Sequence, residues 1–404
     1  MSHRVVLPPA TIGMMGGGQL GRYALMAARQ MGYRTLVVDP DPSAPAAAVA
    51  DEHLATAYDD PTTLQRLSLD CDVVTTEFEN PPAAALEFLA DRGLVVAPSP
   101  SAVRVAQDRI AEKEFLRDNG FPLGPYGVLD DDGGRTGSAD LYSLVSDGGA
   151  IVKTARLGYD GKGQRRVGDI TALHAAWAEL RGVPCVVESL LDFDTELSVI
   201  VARTADGRTE AWPVAENRHV DGILDLSIVP AQVDADLADR AVGLALAIAD
   251  ALGYVGVLAV EMFVVSGGDA SRGGVSSGAD GAQRDATLLV NELAPRPHNS
   301  GHWTLDASMT SQYEQQIRAV CGVGLGRTTM VAGSIAMVNL LGDVWAAGEP
   351  AWEVVLDEPR AKLHLYGKHV PKPGRKMGHL TVTSDVATEA VERALDLRDQ
   401  VTRR

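Results

Sequence analysis

Residues 291–303 read Asn-Glu-Leu-Ala-Pro-Arg-Pro-His-Asn-Ser-Gly-His-Trp and set an acid directly before a dense group of polar side chains. Apolar residues just before this stretch predict a strand over Ala286–Leu293 with Glu292 at its end, and a second predicted strand, Val255–Val265, carries Glu261. Two carboxylates inside apolar, paired strands repel each other unless a cation lies between them. Because oxygen ligands hold Mg²⁺ in proteins, both acids are predicted to bind Mg²⁺, or Mn²⁺ in its place. Pairing of either acid with Arg or Lys is the alternative.

The polar group that follows Glu292 contains residue types suited to binding a small oxyanion. The planar guanidinium of Arg296 matches bicarbonate or a carboxylate, and His298 and Asn299 add hydrogen-bonding groups directly beyond it. A single histidine would more often be structural, but a cluster beside a proposed metal ligand favours chemistry. A purely structural role for this cluster is therefore harder to accept than for a single histidine.

A glycine-rich loop follows a strand that contains a lysine near its end. The strand is predicted over Ala150–Thr154 and contains Lys153, and the loop Gly158–Gln164 reads Gly-Tyr-Asp-Gly-Lys-Gly-Gln. Such a lysine places one cation over a phosphate, and the glycines let the loop offer backbone N–H groups to phosphate oxygens. The loop lacks the GxxxxGK[ST] pattern of a Walker A loop. We interpret it as a phosphate-covering loop, with a solvated hairpin as the alternative.

The first 100 residues alternate strand and helix signals, which predicts a parallel sheet. Gly16–Gly21 follows the first strand and matches GxGxxG, and Asp39 ends the next strand, where a ribose-binding acid would lie. An NAD-dependent oxidoreductase is therefore a competing hypothesis, and a tight turn without a ligand is another. Glu77, at the end of a later strand, is predicted to contact a substrate amine or hydroxyl, or else to be a solvated acid.

One dense basic cluster occurs near the end of an acidic chain. Residues 368–379 read Lys-His-Val-Pro-Lys-Pro-Gly-Arg-Lys-Met-Gly-His, whereas the whole chain has a formal net charge of −18. An acidic protein that binds a phosphate must concentrate its Lys and Arg locally. We interpret this cluster as a phosphate-monoester site, with a solvated basic loop as the alternative.

Composition excludes several classes of function. The 404 residues contain no long basic run, so a nucleic-acid partner is not expected. Cys71, Cys185 and Cys321 are widely spaced and odd in number, which argues against a disulfide framework or zinc site and favours a reducing cytoplasm. The longest apolar stretch, Ala241–Ala249, is too short to span a membrane, and the prolines at 8 and 9 interrupt any signal peptide.

Three local predictions concern segments outside these motifs. The charged residues of 101–120 predict a single helix, and Asp130–Ser138 predicts a polar, glycine-rich turn. Ser266–Asp285 is rich in Gly, Ser and Asp and predicts a flexible hairpin insertion at the surface.

Taken in order, the motifs resemble the ATP-grasp family, and most closely its N5-carboxyaminoimidazole ribonucleotide synthetases. The resemblance runs from Ile12 to His379 and rests mainly on residues 17–22, 158–164, 291–303 and 373–379. Each motif alone is modest evidence, whereas their shared order is strong evidence.

The resemblance implies an α/β protein with three domains. They are a Rossmann-like (pre-ATP-grasp) domain over residues 1–100 that binds ribonucleotide but no NAD, an α+β ATP-grasp domain of two subdomains over 101–330, and a small β-rich domain over 331–404. The implied enzyme is an ATP-dependent carbon–nitrogen ligase of purine biosynthesis, and the implied assembly is a homodimer. Its substrates would be ATP, bicarbonate and 5-aminoimidazole ribonucleotide, and its intermediate carboxyphosphate. A formate-using glycinamide ribonucleotide transformylase is the nearest alternative, although the cluster around His298 argues against it.

The resemblance also assigns roles to individual residues. The implied ATP-binding residues are Arg109, Lys153, Gly158, Tyr159, Asp160, Gly161, Lys162, Gly163, Gln164, Glu188, Ser189, Leu190, Leu191, Glu196, His219, Asn291 and Glu292, with 188–191 as an adenine hinge. The implied substrate-binding residues are Gln19, Leu20, Glu77, Tyr159, Arg296, His298, Asn299, Lys368 and Arg375. The implied catalytic residues are Asp160, Arg296, His298 and Asn299, of which Asp160 and His298 are the candidates for the base that takes the amine proton.

Overall fold

The computed structural model describes residues 5–130, 133–158, 163–266 and 286–402, and within these ranges the strands form three sheets. Each sheet is covered by helices, and apolar side chains between the layers form the cores. The predicted α/β fold is confirmed. The predicted insertion over Ser266–Asp285 lies outside the described residues, apart from its first residue. Within the described ranges, no helix is long and apolar enough to cross a membrane.

The N-terminal domain is a parallel five-stranded sheet in the order β3-β2-β1-β4-β5. Parallel strands all end at one edge of the sheet, which brings the glycine turn after the first strand beside Glu77 after the fourth. The elements are β1 (Thr11–Met15), α1 (Gln19–Gln30), β2 (Arg34–Val38), β3 (Glu52–Leu54), α2 (Pro61–Asp70), β4 (Val73–Thr76), α3 (Ala83–Ala90) and β5 (Val95–Val96).

Two short helices, α4 (Pro100–Ala106) and α5 (Arg109–Asp118), connect this domain to the next. The prediction of one helix over 101–120 is therefore wrong. The side chain of Asp108 accepts hydrogen bonds from the backbone N–H groups of Ile110 and Ala111, which caps the start of α5. The cap breaks the helix just before Arg109, so that Arg109 begins α5 and reaches a cleft that Lys153 and Glu292 also line.

The second sheet is five-stranded and antiparallel, in the order β7-β6-β10-β8-β9. The predicted turn over Asp130–Ser138 is wrong in part, because Gly133 and Gly134 lie in β7 and pair with β6 instead of remaining in a loop. The elements are β6 (Tyr126–Asp130), β7 (Gly133–Thr136), α6 (Leu141–Ser146), β8 (Ala150–Thr154), β9 (Gln164–Val167), α7 (Ile170–Glu179) and β10 (Cys185–Ser189).

The third sheet is antiparallel, in the order β16-β15-β11-β13-β14-β17-β19-β18, with β12 paired to β11. Its first strands belong to the central domain, and the ladder between β14 and β17 continues it into the C-terminal domain. The elements are β11 (Thr195–Arg203), β12 (Thr209–Ala211), β13 (Ala215–Val220), β14 (Ile223–Val229), α8 (Ala235–Ala251), β15 (Gly256–Val265), β16 (Thr287–Ala294), α9 (Thr304–Ala307), α10 (Gln312–Val320), β17 (Ser334–Leu341), α11 (Glu353–Leu356), β18 (Ala361–Leu365), β19 (Lys376–Ser384) and α12 (Ala387–Thr402).

Three imidazole rings stack where the three parts of the chain meet. His302 lies 4.4 Å from His379, which lies 4.5 Å from His364, measured between ring centroids, and Tyr23 of α1 packs edge-on against them. His364 also pairs with Asp306 at 2.8 Å. Adjacent rings are nearly parallel, with planes inclined by 6° and 14°, and the stack joins the C-terminal domain to both other domains.

Candidate active site

Two adjoining cavities lie between the second and third sheets. The larger is a cleft of about 780 Å³ and the smaller is a pocket of about 120 Å³. Both are lined by Ile151 and Lys153 of β8, Phe193, Phe263 of β15 and Asn291 of β16. A ligand that occupies the smaller pocket would therefore extend past Lys153 into the cleft.

The smaller pocket has the character of a site for a flat, weakly polar ring. Phe193 and Phe263 stack with ring centroids 4.5 Å apart and planes inclined by 22°. All four residues of the predicted adenine hinge, 188–191, line this pocket, together with Lys113. Neither Phe193 nor Phe263 was predicted from the sequence, although Phe263 shares a strand face with Glu261, two residues away.

Glu188 of β10 holds two lysines at the boundary between the pocket and the cleft. Its carboxylate forms ion pairs with Lys113 Nζ at 2.7 Å and with Lys153 Nζ. Burial alone would raise the pKa of Glu188, but the two ammonium groups hold this pKa below its usual value. The Lys113 ammonium also donates to the carbonyl of Asn291. This cluster fixes the position of Lys153 and leaves one net positive charge facing the cleft.

Glu261 and Glu292 are direct cross-strand neighbours on β15 and β16, as predicted from their paired strands. Burial, followed by the negative charge of Glu292, raises the pKa of Glu261 to about 7. Burial also acts to raise the pKa of Glu292, but Arg109, whose guanidinium lies 2.8 Å from this carboxylate, holds it below the usual value. Glu292 therefore pairs with an arginine, which was the alternative predicted for these two acids.

The two carboxylates fit a divalent cation. They are adjacent and face the cleft, and burial, followed by their mutual repulsion, raises the pKa of Glu261. A hard cation with oxygen ligands would relieve this repulsion. The donor set contains no thiolate or other soft ligand, which suits Mg²⁺ or Mn²⁺.

The predicted oxyanion cluster lies beside the acid pair in the cleft. Arg296 forms an ion pair with Glu79, and burial lowers the pKa of its guanidinium to about 10. His298 Nε2 lies 3.2 Å from Glu261 Oε1. The Asn299 Oδ1 atom accepts from Gln19 at 3.4 Å and contacts the ring of His302 at 3.0 Å. All three predicted catalytic side chains of this cluster line the cleft.

Glu196 and His219 line the same cleft from β11 and β13, in the sheet that also carries the acid pair. They form an ion pair with each other. Burial would lower the pKa of His219, but the hydrogen bond that its ring donates to Glu196 and the charge of Glu261 raise this pKa. Both residues face the space next to the smaller pocket, where a ribose would follow a bound adenine.

The glycine turn before α1 is already occupied by carboxylates of the protein itself. Glu77 accepts hydrogen bonds from the backbone N–H groups of Gly18 and Gly21, each at 2.9 Å, and Asp39 accepts from Gly17 at 2.7 Å. These are the groups that a dinucleotide pyrophosphate would require. The side chain of Leu20 packs into the hydrophobic core, so any substrate contact of this residue would have to come from its backbone.

We therefore expect no saturable binding of NAD or NADP at millimolar concentration, because the anion position at the start of α1 is filled. Isothermal titration calorimetry with each dinucleotide tests this expectation, with ADP as the positive control. A micromolar dissociation constant for either dinucleotide would contradict it and revive the oxidoreductase hypothesis.

The basic cluster 368–376 lies between the C-terminal and N-terminal domains. Lys368 donates to the carbonyl of Lys376 at 2.7 Å, and Arg375 donates to the carbonyl of Val370 at 2.8 Å. Arg375 is also close enough to Asp41 of the N-terminal domain for its charge to contribute to the lowered pKa of that acid. The residue of this cluster that lines the cleft is Lys376, which sequence reasoning did not single out. The sequence did not predict that Lys376 begins β19, because the preceding Lys, Pro and Gly residues have no strand pattern.

The glycine-rich loop is described only at its two ends. Gly158, Gly163 and Gln164 line the cleft, and the carbonyl of Gly158 accepts from Arg109 at 3.3 Å. The other predicted residues of this loop, which lie outside the described ranges, are Tyr159, Asp160, Gly161 and Lys162.

The chain matches three protein-family models in consecutive order. They are a ribonucleotide synthetase pre-ATP-grasp domain over residues 9–107, an ATP-grasp domain over 114–313 and a phosphoribosylaminoimidazole carboxylase C-terminal domain over 335–393. The central match, together with a nucleotide-sized cleft between two sheets, defines the class of the protein as ATP-grasp.

Comparison with individual proteins narrows this class. An N5-carboxyaminoimidazole ribonucleotide synthase of Brucella melitensis is 43% identical over 376 residues, which are 93% of this chain and 96% of that protein. The chain belongs to the N5-carboxyaminoimidazole ribonucleotide synthase family. A solved ADP complex of such a synthetase has a TM-score of 0.85 and 36% identity, with 100% of both chains covered. An Aspergillus clavatus synthase, solved with ADP and 5-aminoimidazole ribonucleotide, has a TM-score of 0.80 and 29% identity over 98% of this chain and 99% of that chain.

Proposed function

We propose that the chain catalyses the ATP- and bicarbonate-dependent carboxylation of the exocyclic amine of 5-aminoimidazole ribonucleotide, which yields N5-carboxyaminoimidazole ribonucleotide for purine biosynthesis. The observation that carries the proposal is one cleft that contains a partly buried acid pair, Glu261 and Glu292, and an oxyanion cluster beside it. The relative solved with ADP and 5-aminoimidazole ribonucleotide supports the choice of substrates. The homodimer and the three predicted domain boundaries remain proposals.

In this proposal, ATP spans the two cavities. Its adenine occupies the apolar pocket at residues 188–191, its ribose lies near Glu196, and its phosphates lie along Lys153 and Arg109. Glu261 and Glu292 would hold Mg²⁺, which when bound neutralises phosphate charge and orients the γ-phosphate. Fixed positive groups in a cleft stabilise the charge on a transferring phosphoryl group because they need no reorganisation during the reaction.

The bond changes then follow from the two substrates that share the cleft with ATP. A bicarbonate oxygen attacks the γ-phosphorus, the bond to the bridging oxygen breaks, and ADP leaves, which gives carboxyphosphate. The exocyclic amine attacks the carboxyl carbon, phosphate leaves, and the amine nitrogen gives up a proton to a base. Arg296 and Asn299 bind and orient the carboxylate oxygens during both steps. The loop over 158–164 excludes water, which would otherwise hydrolyse the intermediate.

Phosphate release measured with ATP, bicarbonate and the ribonucleotide, each omitted in turn, tests the function. We expect the full rate only when all three are present, together with one carboxylated product for each ADP formed. In a parallel reaction, formate replaces bicarbonate and glycinamide ribonucleotide replaces the aminoimidazole. Turnover in that reaction alone would favour the transformylase alternative and contradict the proposal.

The basic cluster of the C-terminal domain is proposed to bind the ribonucleotide phosphate. We expect Arg375→Ala to raise the KM for the ribonucleotide about 10- to 150-fold, the effect of losing one charge-assisted hydrogen bond. The KM for ATP should stay nearly constant, because Arg375 is not among the residues that line either cavity. Steady-state kinetics with each substrate varied in turn measures both constants.

The matched control for this variant is Arg360→Ala, which removes an exposed arginine of the same domain that pairs with Glu358. It should change neither KM. An Arg375→Ala protein with normal ribonucleotide kinetics, or with a defect in ATP binding alone, would mean that the cluster is a solvated loop.

A further inference from the structure

A buried row of hydroxyl and amide groups runs through the third sheet to His298. Ser227 on β14 donates to Asn217 Oδ1 on β13 at 2.7 Å, and Asn217 Nδ2 donates to Ser198 Oγ on β11 at 2.9 Å. Ser198 Oγ then donates to Ser300 Oγ at 2.7 Å, and Ser300 Oγ lies 2.9 Å from His298 Nδ1. All five side chains are buried. The sequence indicated none of the first three as functional.

This row has a direction, which the backbone sets. The N–H group of Ser300 points to His298 Nδ1 at 3.4 Å, and a backbone N–H group can only donate. Nδ1 must therefore be an acceptor, so the Ser300 hydroxyl also donates to it. The oxygen of Ser300 is then free to accept from Ser198, which in turn accepts from the amide of Asn217. Each donor in the row therefore has an acceptor, and the last acceptor is His298 Nδ1.

The consequence appears on the other side of the imidazole ring. An imidazole ring carries a proton on at least one of its two nitrogens. With Nδ1 as an acceptor, that proton lies on Nε2. Nε2 faces Glu261 Oε1 at 3.2 Å, in the cleft where oxyanions are proposed to bind.

We infer that Ser198, Asn217 and Ser227 are positioning residues that fix His298 as the Nε2–H tautomer and so make it a hydrogen-bond donor in the cleft. The inference rests on the proposed function only for the identity of the acceptor, which is an oxygen of bicarbonate or carboxyphosphate. In the opposite tautomer, a nitrogen lone pair would face a carboxylate and an anionic substrate. The Nε2–H tautomer also has no lone pair on the cleft side, so His298 acts as a donor and not as the base that takes the amine proton.

The tautomer can be measured directly by NMR. In protein labelled with ¹⁵N-histidine, long-range ¹H–¹⁵N correlations distinguish a nitrogen that carries a proton from one that does not, and His298→Gln identifies the His298 signals by their loss. We expect an unprotonated Nδ1 and a protonated Nε2 in the parent protein. A protonated Nδ1 would overturn the inference. This measurement needs no turnover, so its result is independent of whether the proposed function is correct.

The kinetic test uses Ser198→Ala, which breaks the row at a residue that does not itself line the cleft. We expect kcat to fall about tenfold, the effect of one lost buried hydrogen bond, while both KM values change by less than about twofold. Ser198→Thr, which keeps the hydroxyl, should restore most of kcat and the parent tautomer. A merely structural role would lower thermal stability without moving the His298 signals.

The matched control is Thr381→Val on β19 of the same sheet. Thr381 is fully buried and its hydroxyl has no hydrogen-bond partner among the described residues, so the control removes a buried hydroxyl outside the row. It should leave kcat and the His298 signals unchanged. Parent-like kcat in Ser198→Ala would overturn the positioning role. If the parent protein itself does not carboxylate the ribonucleotide, the proposed function fails, and the NMR result alone decides the inference.

Discussion

Replacing Glu292 or Glu261 with glutamine should lower the rate of ATP turnover by about 10²-fold or more, even at saturating Mg²⁺. Losing one carboxylate ligand leaves the proposed metal less neutralised and the phosphates displaced, and removal of a preorganised electrostatic group typically costs this much. Initial rates of ADP formation at several Mg²⁺ concentrations measure the effect. Glu389→Gln, at an exposed acid on α12, is the control and should be normal.

The thermal stability of the Glu261→Gln and Glu292→Gln proteins should differ. A loss of activity can therefore be distinguished from a loss of the folded state. The pKa of Glu261 rises from 4.5 to about 7 on folding, so the metal-free protein loses stability as the pH increases through that range. Glu261→Gln should lack this loss and unfold at an equal or higher temperature near pH 8. Glu292→Gln loses the ion pair with Arg109 and should be less stable. Near-normal turnover in either variant would rule out the metal assignment.

Lys153→Met should lower kcat/KM for ATP by about 10²-fold or more, because this lysine lies where the adenine pocket opens into the cleft. Glu188 would keep Lys113 as its partner, so the carboxylate would not be left without a counter-charge. Methionine preserves the length of the apolar stem, and the change therefore tests the charge. Varying ATP at fixed bicarbonate and ribonucleotide measures the loss.

Lys362→Met on β18 is the matched control for Lys153→Met. This lysine is exposed and belongs to the C-terminal domain, so its removal should leave the ATP kinetics unchanged. A change of less than about fivefold in Lys153→Met would show that the lysine serves Glu188 and not the phosphates.

Local patterns in the sequence were sufficient to predict the regular elements. The strand at Ala150–Thr154 has the predicted bounds, since it is a short run with β-branched residues that follows two glycines. Errors arose where one residue had two possible roles. Asp108 suits a solvated helix face as well as a helix cap, and the capping geometry becomes evident only in three dimensions.

The sequence predicted which residues lie in the candidate site better than it predicted their contacts with one another. Glu261 and Glu292 were paired correctly because they lie on consecutive strands that pair antiparallel. The contacts of Glu188 with Lys113 and Lys153 join three separate elements, and no spacing in the sequence encodes them. Glu77 had the expected place at a strand end, but the sequence could not show that its oxygens would bind the glycine turn.

The hydrogen-bonded ladder between β14 and β17 limits which fragments of the chain can be expressed alone. Residues Leu226–Val229 pair with Ile335–Val338, so the C-terminal domain supplies the hydrogen-bond partners of a strand in the nucleotide-binding half. A fragment that ended near residue 330 would retain the ATP-grasp sequence but leave β14 with an unpaired, apolar edge, and such edges promote aggregation. The smallest fragment that could be expressed as an independent ATP-binding unit is therefore larger than the ATP-grasp sequence match. It must extend through β19, which covers the outer edge of β17.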